Sequence, residues 1–225
     1  MKIAYLPGAF FPDPGGAQVQ VHNLANIMHE NGNNVEVLTL KKTNIINSKY
    51  KIFILNTFLI NLVFIFHYYI KINLSFILEF YLKSLIRKKN YDVWHFIFLN
   101  YKSLLIINSL HKLNQKIIVT FQGADIQINR KISYGNRLDK NYNNLLKMSL
   151  QKISSFTSIS KNIYQDLIQL KVPKKKIYQI PNGIPLRKFK LSNKYIHKKK
   201  RGTIKLITVA RYAEKKKGYD LVPSI

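Results

Sequence analysis

A chain of 225 residues has room for one large domain, or for one domain and part of a second. It contains no cysteine, which excludes disulfides, cysteine-ligated zinc and thiol nucleophiles. The 37 basic and 10 acidic side chains give a formal net charge of +27, which indicates either compositional bias or anionic partners such as phosphates and lipid headgroups. No zinc-finger, helix-turn-helix or RNA-binding motif accompanies the lysines, so we expect no nucleic-acid partner.

Apolar strands and amphipathic helices alternate along the chain. The predicted strands cover residues 2–6, 34–40, 91–98, 116–122, 155–159 and 176–181. The predicted helices cover residues 17–31, 102–113, 137–152 and 161–170, with two more near 54–66 and 74–87. This alternation is typical of a parallel sheet with helices on both faces, so the sequence predicts an α/β fold, a Rossmann-like doubly wound domain.

The apolar and aromatic segment over residues 52–82 suggests contact with a membrane. Polar side chains interrupt it, which favours two buried or interfacial helices over one membrane span. Basic residues end the second helix and would suit anionic headgroups, although a core helix with a solvated basic end explains the same pattern. They are Lys83, Arg87, Lys88 and Lys89. Because the start of the chain does not resemble a signal peptide, we expect a cytoplasmic protein, with possible peripheral contact at the inner face of the cell membrane.

Residues 190–225 differ from the preceding residues in charge and in sequence pattern. Residues 190–202 read KLSNKYIHKKKRG, a charged stretch without periodicity that is typical of an interdomain linker. An apolar strand and a loop follow, as at the start of a second parallel-sheet domain. We therefore expect a domain over residues 1–189, a basic linker over 190–202 and the truncated start of a second domain over 203–225.

Two motifs follow the first and fourth predicted strands, at the edge where open α/β sheets bind ligands. Gly15 and Gly16 precede a helix and would let the backbone and the helix N-terminus approach an anion, although a plain flexible turn explains them equally well. In the second motif, TFQGAD, Gln122 offers a donor and an acceptor. Asp125 either binds a sugar hydroxyl or caps the next segment.

Two further motifs follow later strands. Asn182 and Gly183 form a tight turn in the stretch IPNGI and would bring backbone amides to the same edge. Arg211 and Lys217 lie on a loop after the last predicted strand, where they suit a diphosphate, or form an ordinary solvated basic loop. His95, at the end of the third predicted strand, is interpreted as a core or supporting histidine rather than a catalytic one.

In this order, five stretches of the chain resemble the retaining nucleotide-sugar glycosyltransferases of the GT-B fold, in the large family that includes sucrose-synthase-like and mannosyltransferase enzymes. The stretches are FFPDPGGAQVQVHNLANIMHENGNNVEVLT, YDVWHF, VTFQGADI, SISKNIYQDLIQLKVPKKKIYQIPNGIPLRKF and LITVARYAEKKKGYDLV. Together they extend from about residue 2 to 222. Each motif is weak alone, and the ordered set is what carries the resemblance.

The resemblance implies roles for several residues. Gly15 and Gly16 would lie against the donor's phosphates, while Arg211 and Lys217 would neutralise the leaving diphosphate, so that neither a metal nor a cofactor is required. The chain departs from the family where many members place a histidine near the reacting sugar, because Gln122 stands there and cannot act as an acid or base. The family's glutamate pair belongs to the second domain, beyond this chain.

The resemblance predicts the acceptor-side domain of an enzyme that transfers a sugar from a nucleotide diphosphate donor, with retention, to a glycan or a lipid-linked acceptor. Synthesis of a surface polysaccharide or glycolipid is the expected setting. One alternative is a non-catalytic remnant that binds a membrane or a partner through its basic face. A second alternative is a nicotinamide dehydrogenase, although the glycine fingerprint of that class is missing. We also expect the 225-residue chain alone to be inactive, since most groups that hold the donor would belong to the second domain.

Overall fold

The computed structural model describes residues 1–11, 15–43, 48–184 and Ile207. Seven strands in this part of the chain pair in parallel: β1 (Lys2–Pro7), β2 (Asn34–Thr39), β3 (Lys51–Ile54), β4 (Val93–Ile97), β5 (Ile117–Phe121), β6 (Ser155–Ser158) and β7 (Ile177–Gln179). They form one sheet in the order β3-β2-β1-β4-β5-β6-β7. The connections reverse direction between β1 and β4, and such a switch point is where ligands bind in this class of sheet.

Helices cover both faces of the sheet. They are α1 (Gly16–Glu30), α2 (Thr57–Ile65), α3 (Ser75–Lys89), α4 (Tyr101–Lys112), α5 (Lys140–Leu150) and α6 (Lys161–Gln169). α1 packs Val21 and Ala25 with Tyr5 in one core, while α2 to α6 enclose Leu6 and Phe96 in the other. Tyr5 and Leu6 point to opposite faces because successive side chains of a strand alternate. The predicted Rossmann-like doubly wound fold is confirmed.

The described helices begin in two different ways. In four of them a side chain accepts a backbone N–H group of the first turn, which satisfies a donor that the helix itself leaves unpaired. These side chains are Asn56 at α2, Asn100 at α4, Asp139 at α5 and Ser160 at α6. α1 follows Gly15 and α3 follows Leu74, and neither residue provides a side chain that accepts a first-turn N–H group.

The apolar segment after β2 forms a strand as well as the two expected helices. β3 is not among the strands predicted from the sequence, and α2 starts at Thr57 rather than near residue 54. α2 continues into a π-helical turn, Phe66–Ile70, that ends where Lys71 adopts a left-handed conformation with φ 65°. Of the helices that the structure describes, none has the length and apolar character of a membrane span.

The remaining domain predictions concern residues that the structure does not describe. The expected linker over residues 190–202 lies outside the described part of the chain. The expected start of a second domain over 203–225 also lies outside it, apart from Ile207, which is exposed. Both boundaries therefore stay predictions.

Gly8 follows β1, and its backbone lies close to the backbone of Phe98. Replacing Gly8 therefore tests the fold. A methyl group at this position would overlap the carbonyl oxygen of Phe98, which follows β4. We expect Gly8→Ala to lower the free energy of unfolding by about 2–3 kcal/mol, the range for overpacked sites. Urea denaturation measures this, with Gly183→Ala as control because no described atom lies within 4 Å of its added methyl group. Equal stability of both variants would contradict the packing seen here.

Candidate functional site

A chain of hydrogen bonds connects three of the predicted motifs at the carboxyl edge of the sheet. The side-chain amide of Asn182, after β7, donates to Oε1 of Gln122, after β5, at 3.0 Å. The carbonyl oxygen of the next residue, Gly183, accepts from Nε2 of Gln20 on α1 at 2.9 Å. The structure thus places the predicted residues Gln122, Asn182 and Gly183 together with the first turns of α1.

The start of α1 presents backbone to this edge. Its first turn contains no acidic side chain. The structure describes no atom within 4 Å of the point where a Cβ of residue 16 would stand, so Gly16 borders open space within the described part of the molecule. A helix of 15 residues has a partial positive charge at its N-terminus, which favours an anion there. The predicted role of Gly15 and Gly16 at a phosphate stays a prediction.

Asp125 holds the loop rather than facing the open edge. Its side chain is fully buried, and its carboxylate accepts from the backbone N–H groups of Leu99 at 3.1 Å, Gln122 at 3.0 Å and Gly123 at 2.8 Å. Burial raises the pKa of the Asp125 carboxyl to about 6, while these three N–H groups act in the opposite direction. The group is therefore ionised at neutral pH, and this geometry matches the capping interpretation of Asp125.

A cavity of about 470 Å³ lies beside the switch point. Its walls come from the loop after β1, the end of β2, one side of α2 and the start of α4. They include Gly8, Phe10, Phe11, Thr39, Lys41, Thr57, Asn61, Phe64, Asn100, Tyr101 and Lys102. Aromatic rings, amides and two lysines line one space, a composition that suits a sugar or a phosphorylated sugar. The sequence analysis did not find this cavity, because its residues come from segments far apart in the chain.

Lys102 is a cation of the cavity wall that is held by two neighbouring side chains. Its ammonium group donates to Oδ1 of Asn61 at 2.6 Å and lies 5.2 Å from the ring centre of Phe64. Burial, and next the charge of Lys41, lower the pKa of Lys102. A cation that is partly removed from water attracts an anion more strongly than a solvated lysine does.

Aromatic side chains next to the cavity form a second cluster that the sequence analysis missed. His67, in the π-helical turn, shares a hydrogen bond of 2.8 Å with the hydroxyl of Tyr101, and the hydroxyl of Tyr68 donates to Asp139 at 2.6 Å. Burial, followed by the charge of Lys71, lowers the pKa of His67. The cluster therefore fixes Tyr101 at the cavity wall. In the sequence, only the run His67-Tyr68-Tyr69, directly after an apolar segment, indicated such a cluster.

His95 points into the protein and packs as expected for a supporting residue. Its Nε2 lies 2.8 Å from the hydroxyl oxygen of Thr120, and its ring is tilted against Tyr5 with the ring centres 5.2 Å apart. Burial lowers the pKa of His95 to about 4, so it is neutral at pH 7.

Two predicted site residues, Arg211 and Lys217, lie outside the described residues, and their position relative to this edge stays a prediction. Within residues 1–11, 15–43 and 48–184, no three histidine, aspartate or glutamate side chains come close enough to hold a metal ion.

The chain matches a known protein family over most of its length. Residues 14–188 match the family described as Glycosyltransferase Family 4. No curated protein sequence matches the chain.

Solved structures share the fold at low sequence identity. They include sucrose-phosphate synthase from Thermosynechococcus elongatus (14% identity, 83% of this chain and 49% of that chain covered, TM-score 0.54). HepE from Anabaena in complex with UDP-glucose is another (14% identity, 86% and 47% covered, TM-score 0.57). UDP-N-acetylglucosamine 2-epimerase from Rickettsia bellii is a third (10% identity, 84% and 47% covered, TM-score 0.51). The chain spans about half the length of these structures, and the likeness concerns the fold alone.

His95 makes stability depend on pH. In the unfolded chain a histidine has a pKa near 6.5, whereas the folded protein holds it near 4, so the unfolded state binds the proton first as the pH falls. We therefore expect His95 to cost up to about 2 kcal/mol of stability between pH 6.5 and 5. The His95→Gln variant can still form a hydrogen bond with Thr120 but has no titrating group at this position. Between pH 6.5 and 5, its free energy of unfolding, measured by urea denaturation, should fall by up to about 2 kcal/mol less than that of the unchanged protein. The exposed His111→Gln is the control, and identical pH profiles of the two variants would contradict the assignment.

Proposed function

Because the chain belongs to glycosyltransferase family 4, we propose that it transfers a sugar from a nucleotide diphosphate donor to a glycan or a lipid-linked acceptor, with retention of the anomeric configuration. The observation that carries the proposal is the family match over residues 14–188, which includes the hydrogen-bonded edge described above. The fold likeness is less specific, because an epimerase shares it with synthases and transferases.

In this proposal the start of α1 faces the donor's diphosphate. Gly15 itself has no side chain to cap the first N–H groups of the helix, and the partial positive charge of the helix favours an anion. Gln20 ties the next turn of α1 to Gly183, so that the helix start is held against the loop after β7. A nucleotide sugar is also what HepE binds in its complex with UDP-glucose, which supports the choice of donor class.

The leaving group requires positive charge when the bond between sugar and phosphate breaks. Arg211 and Lys217 supply that charge in the proposal, by the resemblance of their loop to the basic pair of this family. A guanidinium binds two phosphate oxygens at once, and an ammonium group adds a second cation, so the developing negative charge is stabilised more in the transition state than in the ground state.

Gln122 has a positioning role in this scheme. Its Oε1 accepts from Asn182, which leaves its NH₂ group to donate to a sugar hydroxyl. A neutral amide exchanges no proton at pH 7, so this residue orients the donor sugar and performs no acid or base step.

The acceptor enters the 470 Å³ cavity between α2 and α4 in this proposal. Tyr101 and Phe64 contribute aromatic surface that suits a sugar, Asn61 and Asn100 offer amides, and Lys102 offers a cation to a phosphate on the acceptor. The cavity adjoins the loop after β1, and the next helix in the chain is the one proposed to face the diphosphate. Donor and acceptor would therefore meet above the ends of β1 and β4.

Calorimetric titration tests the function class directly. UDP-glucose and GDP-mannose should each be added to the purified chain, with NAD as a nucleotide that also contains a diphosphate but no sugar donor group. Binding of a nucleotide sugar and not of NAD supports the transferase. Binding of NAD alone would contradict the transferase, and binding of none of the three would contradict a donor site formed by the start of α1 in this chain. Where transfer to an acceptor is obtained, the anomeric proton of the product, measured by NMR, decides between retention and inversion.

Gly16 provides the sharpest test of the donor site. Gly16→Asp adds a negative charge where Gly16→Asn adds a neutral group of the same shape, and the described structure leaves room for both. An aspartate in the first turn should stabilise the helix by roughly 0.3–1 kcal/mol. The same charge should weaken binding of UDP-glucose about fivefold or more, since it opposes the diphosphate.

The opposite signs of these two effects separate a damaged fold from a lost site. Thermal unfolding and calorimetry on the same samples report both. If the Asp and Asn variants bind UDP-glucose equally well, the start of α1 does not face the diphosphate.

A further inference from the structure

One outward stripe of α3 combines two aromatic rings with two cations. Phe76, Phe80, Lys83 and Arg87 follow the spacing i, i+4, i+7 and i+11, which places all four on one side of an α-helix. Phe76 is 63% exposed and Phe80 is 79% exposed. On the opposite side of the helix, Leu78, Leu82 and Leu85 are buried in the core. Most of the surface of these two phenylalanines therefore lies outside the packing of the described domain.

α2 and the turn that follows it extend this apolar stripe into a face. Phe58 is 72% exposed and Tyr69 is 68% exposed. A shallow groove runs between α2 and α3, and its lining is apolar except for one hydroxyl group at Ser84 and one at Tyr81. The groove residues are Leu59, Phe76, Ile77, Phe80, Tyr81 and Ser84. We call the outward surface of residues 58–88 the aromatic face.

The surroundings of the aromatic face are strongly basic. Residues 48–89 contain seven lysine or arginine side chains and one acidic side chain, Glu79. Glu79 forms an ion pair of 2.6 Å with Lys112, so its charge is already compensated. Lys83, Arg87 and Lys88 are exposed along the last two turns of α3. Aromatic rings at one end of a helix and cations at the other match the layered chemistry of a lipid bilayer.

We propose that the aromatic face docks on the surface of an anionic lipid bilayer. Phe58, Phe76 and Phe80 enter the boundary between headgroups and acyl chains, while Lys83 and Arg87 contact lipid phosphates. A second copy of this chain fits the face poorly, because a symmetric dimer would bring two basic rims together. The docking is peripheral, and it does not depend on the donor or the acceptor.

Vesicle flotation with the purified chain tests the proposal. Vesicles of phosphatidylcholine alone are compared with vesicles in which about a third of the lipid is phosphatidylglycerol. We expect binding to the anionic vesicles at low salt and much weaker binding to the neutral ones. Raising the salt from 50 mM to 500 mM should release most of the bound protein, since the screening length falls severalfold.

Matched variants separate the two contributions. Lys83→Gln with Arg87→Gln should weaken binding about 25-fold, or about fivefold for each charge near the surface. Lys174→Gln with Lys175→Gln removes the same charge from the turn before β7, at the far edge of the sheet, and should change binding little. Phe76→Ser with Phe80→Ser should weaken binding at least about tenfold, because the rings lose their burial in lipid.

The control for the aromatic variant is Met148→Ser with Ile27→Ser, two exposed apolar side chains on α5 and α1. All four pairs of substitutions are at surface positions, so circular dichroism should show an unchanged fold. The proposal would be overturned if the basic pair of substitutions weakened vesicle binding no more than the Lys174 and Lys175 pair does. It would also be overturned if the aromatic pair weakened binding no more than the Met148 and Ile27 pair does.

A fluorescent label reports where the protein touches the vesicle. The chain has no cysteine, so Ser84→Cys carries a single environment-sensitive dye on the groove, and Met148→Cys carries it on α5. We expect a blue shift with anionic vesicles at residue 84 and none at residue 148. Equal shifts at both positions would show non-specific adsorption of a cationic protein. Light scattering that detects a dimer abolished by the Phe76 and Phe80 variants, without vesicle binding, would assign the face to a second copy instead.

Discussion

The carboxylate of Asp125 fixes the edge of the sheet on which the candidate site depends. It accepts backbone N–H groups from the loop after β4, at Leu99, and from the loop after β5, at Gln122 and Gly123. A buried carboxylate is stable only when such donors surround it, so the two loops are held in one arrangement. The hydroxyl of Tyr142 on α5 donates to the carbonyl oxygen of Asp125 at 2.8 Å and connects the same point to the helix layer. This network fixes the backbone of Gln122, from which its side chain extends to Asn182.

Much of the fold could be predicted from the sequence, because a parallel sheet with covered faces leaves a simple pattern. The strands β1, β2, β4, β5, β6 and β7 were all predicted, since short runs typical of strands alternate along the chain with segments that have the apolar period of a helix. Their carboxyl ends meet at one edge by the geometry of parallel pairing. That is why Gln122, Asn182 and Gly183, identified from their place after a strand, lie close together in the structure.

The remaining features of the fold and of the site depend on contacts that no local sequence pattern indicates. β3 was missed because four residues, two of them half-buried, lead almost directly into the apolar α2, and periodicity does not separate so short a strand from the helix. The hydrogen bond between Gln20 and Gly183 joins residues 163 positions apart. Asp125 illustrates a different limit, since a carboxylate after a strand suits either a ligand or the backbone, and only its burial decides between them.

One side of α2 lines the cavity, and its outward side is part of the aromatic face. The two surfaces are therefore only one helix apart. Thr57, Asn61 and Phe64 line the cavity, while Phe58 and Ile65 are exposed on the outward side of the same helix. A helix with its side chains is about 10 Å across. If the outward side rests on a bilayer, the cavity lies within roughly that distance of the headgroups. A polar acceptor head carried on a lipid would then reach Lys102 without leaving the membrane, whereas a free sugar would gain nothing from the docking. The two proposals are independent, but together they favour a lipid-linked acceptor over a soluble one.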